Sequence, residues 1–168
     1  DEFHERSLQA DLGLALALEV QQALRPDLRL LVMSATLDAG PVAGLLGGAP
    51  LISSEGRSYP VEVRYRPAGR LPPEQHLVEV ILQVLREESG SVLVFLPGGG
   101  EIRRLARMLT SRLPADTFLA PLYGELAQGA QDAAIAPAPP GQRKIVLATA
   151  IAETSLTIEG VRVVVDAG

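Results

Sequence analysis

The chain has 168 residues, of which 47% are hydrophobic and 21% charged, and its net charge is −5 at neutral pH. This composition is that of a globular protein, because no apolar run reaches the roughly 18 residues of a membrane span and the opening residues lack a signal-peptide pattern. We therefore expect a cytoplasmic protein with no membrane partner. The lack of cysteine excludes disulfides and thiolate metal sites. The negative charge argues against bulk electrostatic capture of nucleic acid, but a local groove of arginines and backbone amides stays open.

The first third of the chain alternates predicted helices and strands. Apolar residues recur at every fourth position until Pro26, so residues 7–25 are predicted to form an amphipathic helix. Residues 28–33 are almost wholly apolar, which is typical of a buried parallel strand. "GPVAGLLGG" at 40–48 indicates a short helix closed by glycines, and "LISS" at 51–54 indicates a brief strand. The helical stripe consists of Leu8, Leu12, Leu16, Val20 and Leu24.

A change of pattern follows near the middle of the chain. Residues 61–66, "VEVRYR", alternate apolar and charged side chains, which predicts a strand with one face in water. "PAGRLPP" then places three prolines in a short stretch, so we expect a boundary or hinge within residues 57–73. The sequence thus predicts two domains, residues 1–58 and residues 59–168.

The second domain shows a regular alternation of elements that predicts an α/β fold with a mainly parallel sheet. Helices are predicted at 74–88, 101–113 and near 125–135, strands at 91–96, 117–122, 144–149 and 161–166, and a proline-rich loop at 136–142.

"DEFH" at the start of the chain is the first candidate for chemistry. In a nucleotide site, Asp1 could hold Mg²⁺ directly or through its waters while Glu2 orients and deprotonates an attacking water. For an isolated Asp-Glu pair, a charged strand end that caps a helix is the more common explanation. A metal site built on His4 and Glu5 fails on spacing, because there is no H-E-x-x-H and the chain has only two histidines.

Three further motifs follow predicted strands. "SATLD" at 34–38 has the small hydroxylated residues of a turn or a cap. "LPGGGE" at 96–101 could present backbone amides to a phosphate or be an ordinary loop. "ATAIAETSLTIEG" at 148–160 carries more hydroxyls and carboxylates than capping uses, at the sheet edge where α/β folds bind ligands. Neither G-x-x-x-x-G-K-[ST] nor G-x-G-x-x-G occurs in the chain.

Taken in order, these motifs resemble motifs II to V of the DEAH-box superfamily 2 ATP-dependent helicases. The matching stretches are "DEFH", "SATLD", "VLVFLPG", "LYGEL" with "QDAAI", and "LATAIAETSLTIEGVRVVVDAG". The sequence of these stretches is most similar to that of the bacterial HrpB type, which carries DEFH in place of DEAH. The resemblance covers essentially the whole chain and implies tandem RecA-like domains with mainly parallel sheets, both incomplete here, that bind ATP between them and nucleic acid across their top.

The resemblance also implies roles for single residues. Asp1 would hold Mg²⁺ through water, Glu2 would position the hydrolytic water, and His4 would link this site to Ser34 and Thr36, which relay the nucleotide state into strand separation.

Later motifs supply the ligand contacts. By resemblance, ATP is also contacted from Ser155, Thr157 and Glu159, and the nucleic-acid backbone from Gly98, Gln131 and Thr149. The expected substrate is single-stranded or duplex RNA, although contacts to the backbone leave DNA open.

Two departures from the family qualify this expectation. Ala150 stands where the family usually has Asn, which removes one side chain able to hydrogen-bond the nucleic-acid backbone. The chain also contains neither a P-loop nor the arginine-rich motif VI, so by itself it is expected to be inactive. A non-catalytic RecA-like module that binds nucleic acid or acts as a scaffold is the alternative.

Overall fold

The computed structural model describes residues 1–35, 39–54, 59–152 and 157–167, and of Ile151 only the backbone. The chain divides into two compact units, Asp1–Val61 and Glu62–Gly168. The division falls inside the region 57–73 where the sequence indicates a boundary. The identification of these units with a first and a second RecA-like domain stays a prediction.

The first unit contains a 3-10 turn, Phe3–Glu5, and two helices, α1 (Leu8–Ala23) and α2 (Gly40–Leu45). Helix α1 begins where Ser7 caps it, since the Ser7 hydroxyl accepts the Ala10 N–H at 3.1 Å. The two helices predicted for this region are therefore confirmed, but the apolar stripe of α1 faces solvent in this structure. No helix in the described parts of the chain has the length and apolarity needed to cross a bilayer.

The three strands predicted before residue 67 are wrong. Residues 28–33, 51–54 and 61–66 form no strand in the structure. Their side chains are largely exposed, with Leu31 at 77% and Ile52 at 90% of full exposure. A strand requires a neighbour to receive its backbone hydrogen bonds. The Met33 carbonyl instead accepts, at 3.0 Å, the N–H of Phe3, which lies in the 3-10 turn.

The second unit is built on a parallel sheet, and the four strands predicted after residue 90 are all confirmed. Among the described residues the sheet has four strands in the order β2-β3-β1-β4, with all neighbours parallel. The strands are β1 (Ser91–Phe95), β2 (Thr117–Leu122), β3 (Arg143–Ala148) and β4 (Val161–Asp166), and the helices are α3 (Pro73–Glu87), α4 (Gly99–Thr110) and α5 (Gln128–Ile135). The short apolar runs of β1 and β3 form strands because helices cover both of their faces.

Two apolar cores lie on opposite faces of this sheet. Helices α3 and α4 pack on one face, where Ile81 and Ile102 meet Val92 and lie fully buried. Helix α5 packs on the other face, where Ala134 meets Leu122. Because successive strand residues point to opposite faces, each central strand contributes to both cores.

Gly90, which precedes β1, is a position where only glycine fits. Its φ is +84°, and a Cβ built there would lie 2.8 Å from Cγ of Arg162. We predict that Gly90→Ala lowers the free energy of unfolding by at least about 1–2 kcal/mol, the cost of a left-handed backbone for an L-residue. Urea denaturation measures this change.

Gly129 in α5 is the matched control for that substitution. A Cβ there meets nothing within 4 Å, so Gly129→Ala should leave stability unchanged or raise it by about 0.5–1 kcal/mol through helix propensity. Equal losses in the two variants would show that the conformation of Gly90 is not the cause.

Candidate nucleotide and nucleic-acid sites

The "DEFH" segment begins the first unit as a tight turn. Asp1 is exposed and Glu2 is half-buried, and the Glu2 N–H donates to Oδ1 of Asp1 at 2.9 Å. Glu2 and Arg6, at the two ends of the 3-10 turn, both have left-handed backbones with φ near 50°. This conformation is uncommon outside glycine and often accompanies functional sites.

His4 lies between Glu2 and the "SAT" segment. Its Nδ1 accepts the Ala35 N–H at 3.3 Å and lies 3.4 Å from Oε2 of Glu2. A ring nitrogen that accepts an N–H carries no proton, so the contact to Ala35 requires the tautomer protonated at Nε2. In the other tautomer, with the proton on Nδ1, the ring would instead donate to Glu2. The imidazole can therefore satisfy one neighbour or the other through this atom.

The remaining residues of this predicted site are only partly described. Ser34 is exposed in the same loop as Ala35, and Thr36 lies outside the described residues. The structure thus brings Glu2 and His4 together with the backbone of Ala35, and the predicted role of Thr36 lies outside the described residues.

The residues at the start of the chain fit a water-mediated Mg²⁺ contact. No group of three or more His, Cys, Asp or Glu side chains suited to a metal occurs in the described part of the chain. Mg²⁺ often uses only one or two carboxylates, keeping several waters and taking its other ligands from nucleotide phosphates. Asp1 fits such a contact, because it is exposed and one of its oxygens accepts the Glu2 N–H.

In the second unit, the carboxyl ends of three strands meet at one edge of the sheet. Ala148 of β3 lies beside Phe95 of β1 and Leu122 of β2. The Thr149 N–H donates to the Leu122 carbonyl at 3.2 Å. Gly98 and Thr149, both predicted to contact nucleic acid, therefore follow neighbouring strands at the same edge.

Gln131, the third predicted nucleic-acid residue, fastens the loop after β2. Its Nε2 donates to the carbonyl oxygens of Leu126 at 2.8 Å and Gly124 at 3.4 Å. The side-chain amide thus joins α5 to the loop that leaves β2. This contact makes Gln131 at least a positioning residue for that loop.

Only part of the segment at 148–160 belongs to the described residues. Ser155 lies outside the described residues, whereas Thr157 and Glu159 are exposed. Ala152 and Ile158 are buried in the second core. The two ends of this segment are therefore anchored to the sheet, and the exposed side chains of Thr157 and Glu159 are available to a ligand.

Arg143, at the start of β3, was not identified by sequence reasoning. Its guanidinium donates to the carbonyl oxygens of Leu85, Glu88 and Gly90 at 2.7–2.8 Å. The carbonyls of Leu85 and Glu88 lie at the C-terminal end of α3, where a helix leaves acceptors unpaired and favours positive charge. Arg143 therefore caps α3 from the sheet.

Lys144 caps α5 in the same way on the opposite face. It is the single lysine of the chain and is fully buried. Its Nζ donates to the carbonyl oxygens of Ala134 at 2.8 Å and Ile135 at 3.2 Å, and to that of Ala136. Burial lowers the pKa of the Lys144 ammonium group. In sequence this lysine would be taken for a solvated strand end, and only the packing of α5 shows otherwise.

Comparison with known families and proteins places these features among helicases. Residues 74–168 match the family model of the helicase conserved C-terminal domain. The chain is 59% identical over 170 residues to the ATP-dependent RNA helicase HrpB of Escherichia coli strain K12, a match that covers 99% of this chain and 21% of that protein. It is 40% identical over 179 residues to the pre-mRNA-splicing factor ATP-dependent RNA helicase prp22 of Schizosaccharomyces pombe, covering 100% of this chain and 15% of that protein.

Solved structures give the same relation. The crystal structure of the Escherichia coli DEAH/RHA helicase HrpB is similar with a TM-score of 0.87 at 58% identity, over 99% of this chain and 21% of that one. A crystal structure of the E. coli DExH-box NTPase HrpB is similar with a TM-score of 0.79, also at 58% identity and the same coverage. The chain spans about a fifth or less of the length of the relatives it matches.

Proposed function

Because this chain belongs to the helicase conserved C-terminal domain family, as its motifs predicted, we propose that it is part of an ATP-dependent RNA helicase. In this proposal, ATP hydrolysis is coupled to movement along RNA and to separation of its strands. The observation that carries it is the 59% identity to an RNA helicase over 99% of the chain. A cytoplasmic location, where ATP and RNA are both available, is part of the proposal.

The nucleotide half of the proposed site centres on Asp1 and Glu2. Asp1 would hold Mg²⁺ through water, and the half-buried carboxylate of Glu2 would orient the attacking water and accept its proton. Bound Mg²⁺ would neutralise charge on the ATP phosphates. In the second unit, taken by itself, Ser155, Thr157 and Glu159 are the proposed nucleotide contacts. The exposure of Thr157 and Glu159 supports this role.

The proposed coupling to the nucleotide state involves His4, Ser34 and Thr36. The Nδ1 atom of His4 is within reach of both the Glu2 carboxylate and the Ala35 amide. A change in charge at Glu2 during hydrolysis would alter which bond the imidazole makes, and the "SAT" backbone would lose or gain a hydrogen bond. We propose that this exchange transmits the nucleotide state.

The nucleic-acid half is the edge formed by the carboxyl ends of β1, β2 and β3. Gly98, Gln131 and Thr149 are the proposed contacts to the RNA backbone. Their common position at this edge supports the proposal. Contacts to phosphates rather than base edges would let the protein move along any sequence.

The test of the proposed function uses the full-length protein that contains this chain. ATP hydrolysis with and without single-stranded RNA is measured together with displacement of a labelled strand from an RNA duplex and from the matched DNA duplex. RNA-stimulated hydrolysis and ATP-dependent displacement are expected. If RNA binds but ATP is neither hydrolysed nor required, the protein is a non-catalytic nucleic-acid-binding module. Preference for the DNA duplex would assign DNA as the substrate.

A substitution that restores the usual family residue at position 150 should increase the affinity for RNA. Ala150 is exposed directly after Thr149, and Asn there adds one hydrogen-bonding side chain worth about 0.5–1.5 kcal/mol. Ala150→Asn is expected to tighten RNA binding by about two- to tenfold in an equilibrium titration. Ala115→Asn, in the turn that precedes β2 at the opposite edge of the sheet, should change nothing. Equal affinities in all three proteins would contradict the placement of RNA beside Thr149.

A further inference from the structure

Arg103 and Tyr123 form a stacked pair that no motif predicted. Arg103 lies near the start of α4, and Tyr123 is the first residue after β2. The carbon at the centre of the guanidinium is 5.9 Å from the centroid of the tyrosine ring. This distance lies within the range of a cation–π interaction, which holds the planar cation in one orientation.

Gly99 leaves room for this pair. A Cβ at Gly99 would lie 3.3 Å from Nη1 of Arg103 and 3.3 Å from ring atoms of Tyr123. Both groups therefore lie against the backbone that follows Gly98. The cation is fixed beside one of the proposed RNA contacts.

The charge of Arg103 is available, in contrast to that of its neighbour. Arg104 is ion-paired with Glu74, whose carboxylate lies 2.8 Å from its guanidinium, and with Glu101. Within the part of the chain that the structure describes, Arg103 makes no ion pair. The charge of Arg103 acts on Glu101 only as a longer-range attraction, one of the causes that lower the pKa of Glu101. A guanidinium that is held in place without a direct ion pair is suited to a ligand with negative oxygens.

The pair lies at the sheet edge already assigned to RNA. Tyr123 follows Leu122, whose carbonyl accepts the Thr149 N–H, and Gly124 accepts a hydrogen bond from Gln131. We propose that Arg103, held by Tyr123, binds a phosphate of the nucleic-acid strand. The guanidinium fork matches the geometry of phosphate oxygens and carries no base preference. This inference rests on the proposed function and adds a phosphate contact to it.

The salt dependence of RNA binding tests this inference. Each cation that neutralises a phosphate of a single strand contributes about 0.7 to the slope of log affinity against log salt concentration. With a fluorescent single-stranded homopolymer RNA, Arg103→Gln in the full-length protein is therefore expected to make this fall of affinity with salt shallower, by about 0.7 in the magnitude of the slope. When the salt concentration falls from 1 M to 0.1 M, the affinity of Arg103→Gln should therefore rise about fivefold less than that of the unmodified protein. Arg104→Gln is the matched control and should keep the slope of the unmodified protein.

Tyr123 is a positioning residue in this proposal, and a double variant tests that role. Tyr123→Leu should weaken binding, while Tyr123→Phe, which keeps the ring, should not. In the Arg103→Gln background, Tyr123→Leu should have no further effect on affinity, because its only proposed action is through the cation. Equal effects of Tyr123→Leu in both backgrounds would overturn this role.

The outcomes separate this inference from the proposed function. If the unmodified protein binds RNA but Arg103→Gln leaves the slope unchanged, the phosphate contact is wrong and the proposed function stands. If Arg104→Gln lowers the slope as much as Arg103→Gln does, the effect is one of net charge, and the phosphate contact is again wrong. If the unmodified protein does not bind RNA at all, the proposed function is wrong.

Discussion

Glu2→Gln is expected to lower the ATPase activity of the full-length protein by about 10²–10⁴-fold, the usual contribution of a positioned general base. Glutamine keeps the shape of the side chain but cannot accept a proton from water. The half-buried carboxylate of Glu2 lies 3.4 Å from Nδ1 of His4, so the substitution also removes the carboxylate beside the imidazole. ATP binding should survive, because the proposed metal contact is made by Asp1.

Steady-state hydrolysis and binding of a fluorescent ATP analogue measure the two effects separately. Glu5→Gln is the matched control, since Glu5 is an exposed glutamate in the same 3-10 turn. Its hydrolysis rate should equal that of the unmodified protein. Turnover by Glu2→Gln within a few-fold of the unmodified rate would remove Glu2 from its proposed role.

Lys144→Met is expected to lower the free energy of unfolding by about 1–3 kcal/mol, the cost of leaving a buried acceptor without its partner. Methionine fills a similar volume but cannot donate to the carbonyl oxygens at the end of α5. Those carbonyls would then be partly buried and unpaired. Arg107→Met, an exposed change on α4, should stay within about 0.5 kcal/mol of the unmodified protein.

The pH dependence of stability distinguishes the charge of Lys144 from its packing. Burial lowers the pKa of Lys144 in the folded protein below its ordinary value of 10.5. Between the folded and unfolded pKa values the unfolded chain binds more protons, so the free energy of unfolding should rise with pH as pH approaches 10.5.

Because this is the single lysine of the chain, the rise should be missing from Lys144→Met, while titration of the tyrosines affects both proteins alike. Urea denaturation at several pH values measures it. Identical pH profiles in the two proteins would show that the lysine is not desolvated.

Much of the second unit could be predicted from sequence because its signals are local. Short apolar runs between glycines and prolines specify buried strands, and the helices between them repeat apolar residues at helical spacing. Each motif is also a short run of residues that can be read directly from the sequence. Together the motifs predicted the helicase family that residues 74–168 match. The roles of Asp1, Glu2, His4, Gly98, Gln131 and Thr149 stay predictions, although the structure brings Glu2 close to His4 and sets Gly98 and Thr149 at one edge.

Other features depended on contacts between residues far apart in sequence. The run at 28–33 has the composition of a buried strand, yet Leu31 is exposed, because burial and pairing depend on neighbours that composition cannot specify. Arg103 and Tyr123 meet only because β2 ends beside the start of α4.

Arg143 and Lys144 show most clearly what sequence determined and what packing decided. Their adjacency at the start of an apolar strand determined that they point to opposite faces of the sheet, since side chains alternate along a strand. The tertiary structure decided that each cation meets the C-terminal end of a different helix, α3 for Arg143 and α5 for Lys144. The physical reason is that unpaired helix carbonyls attract whichever cation the packing brings within reach, and that distance is set by the whole fold.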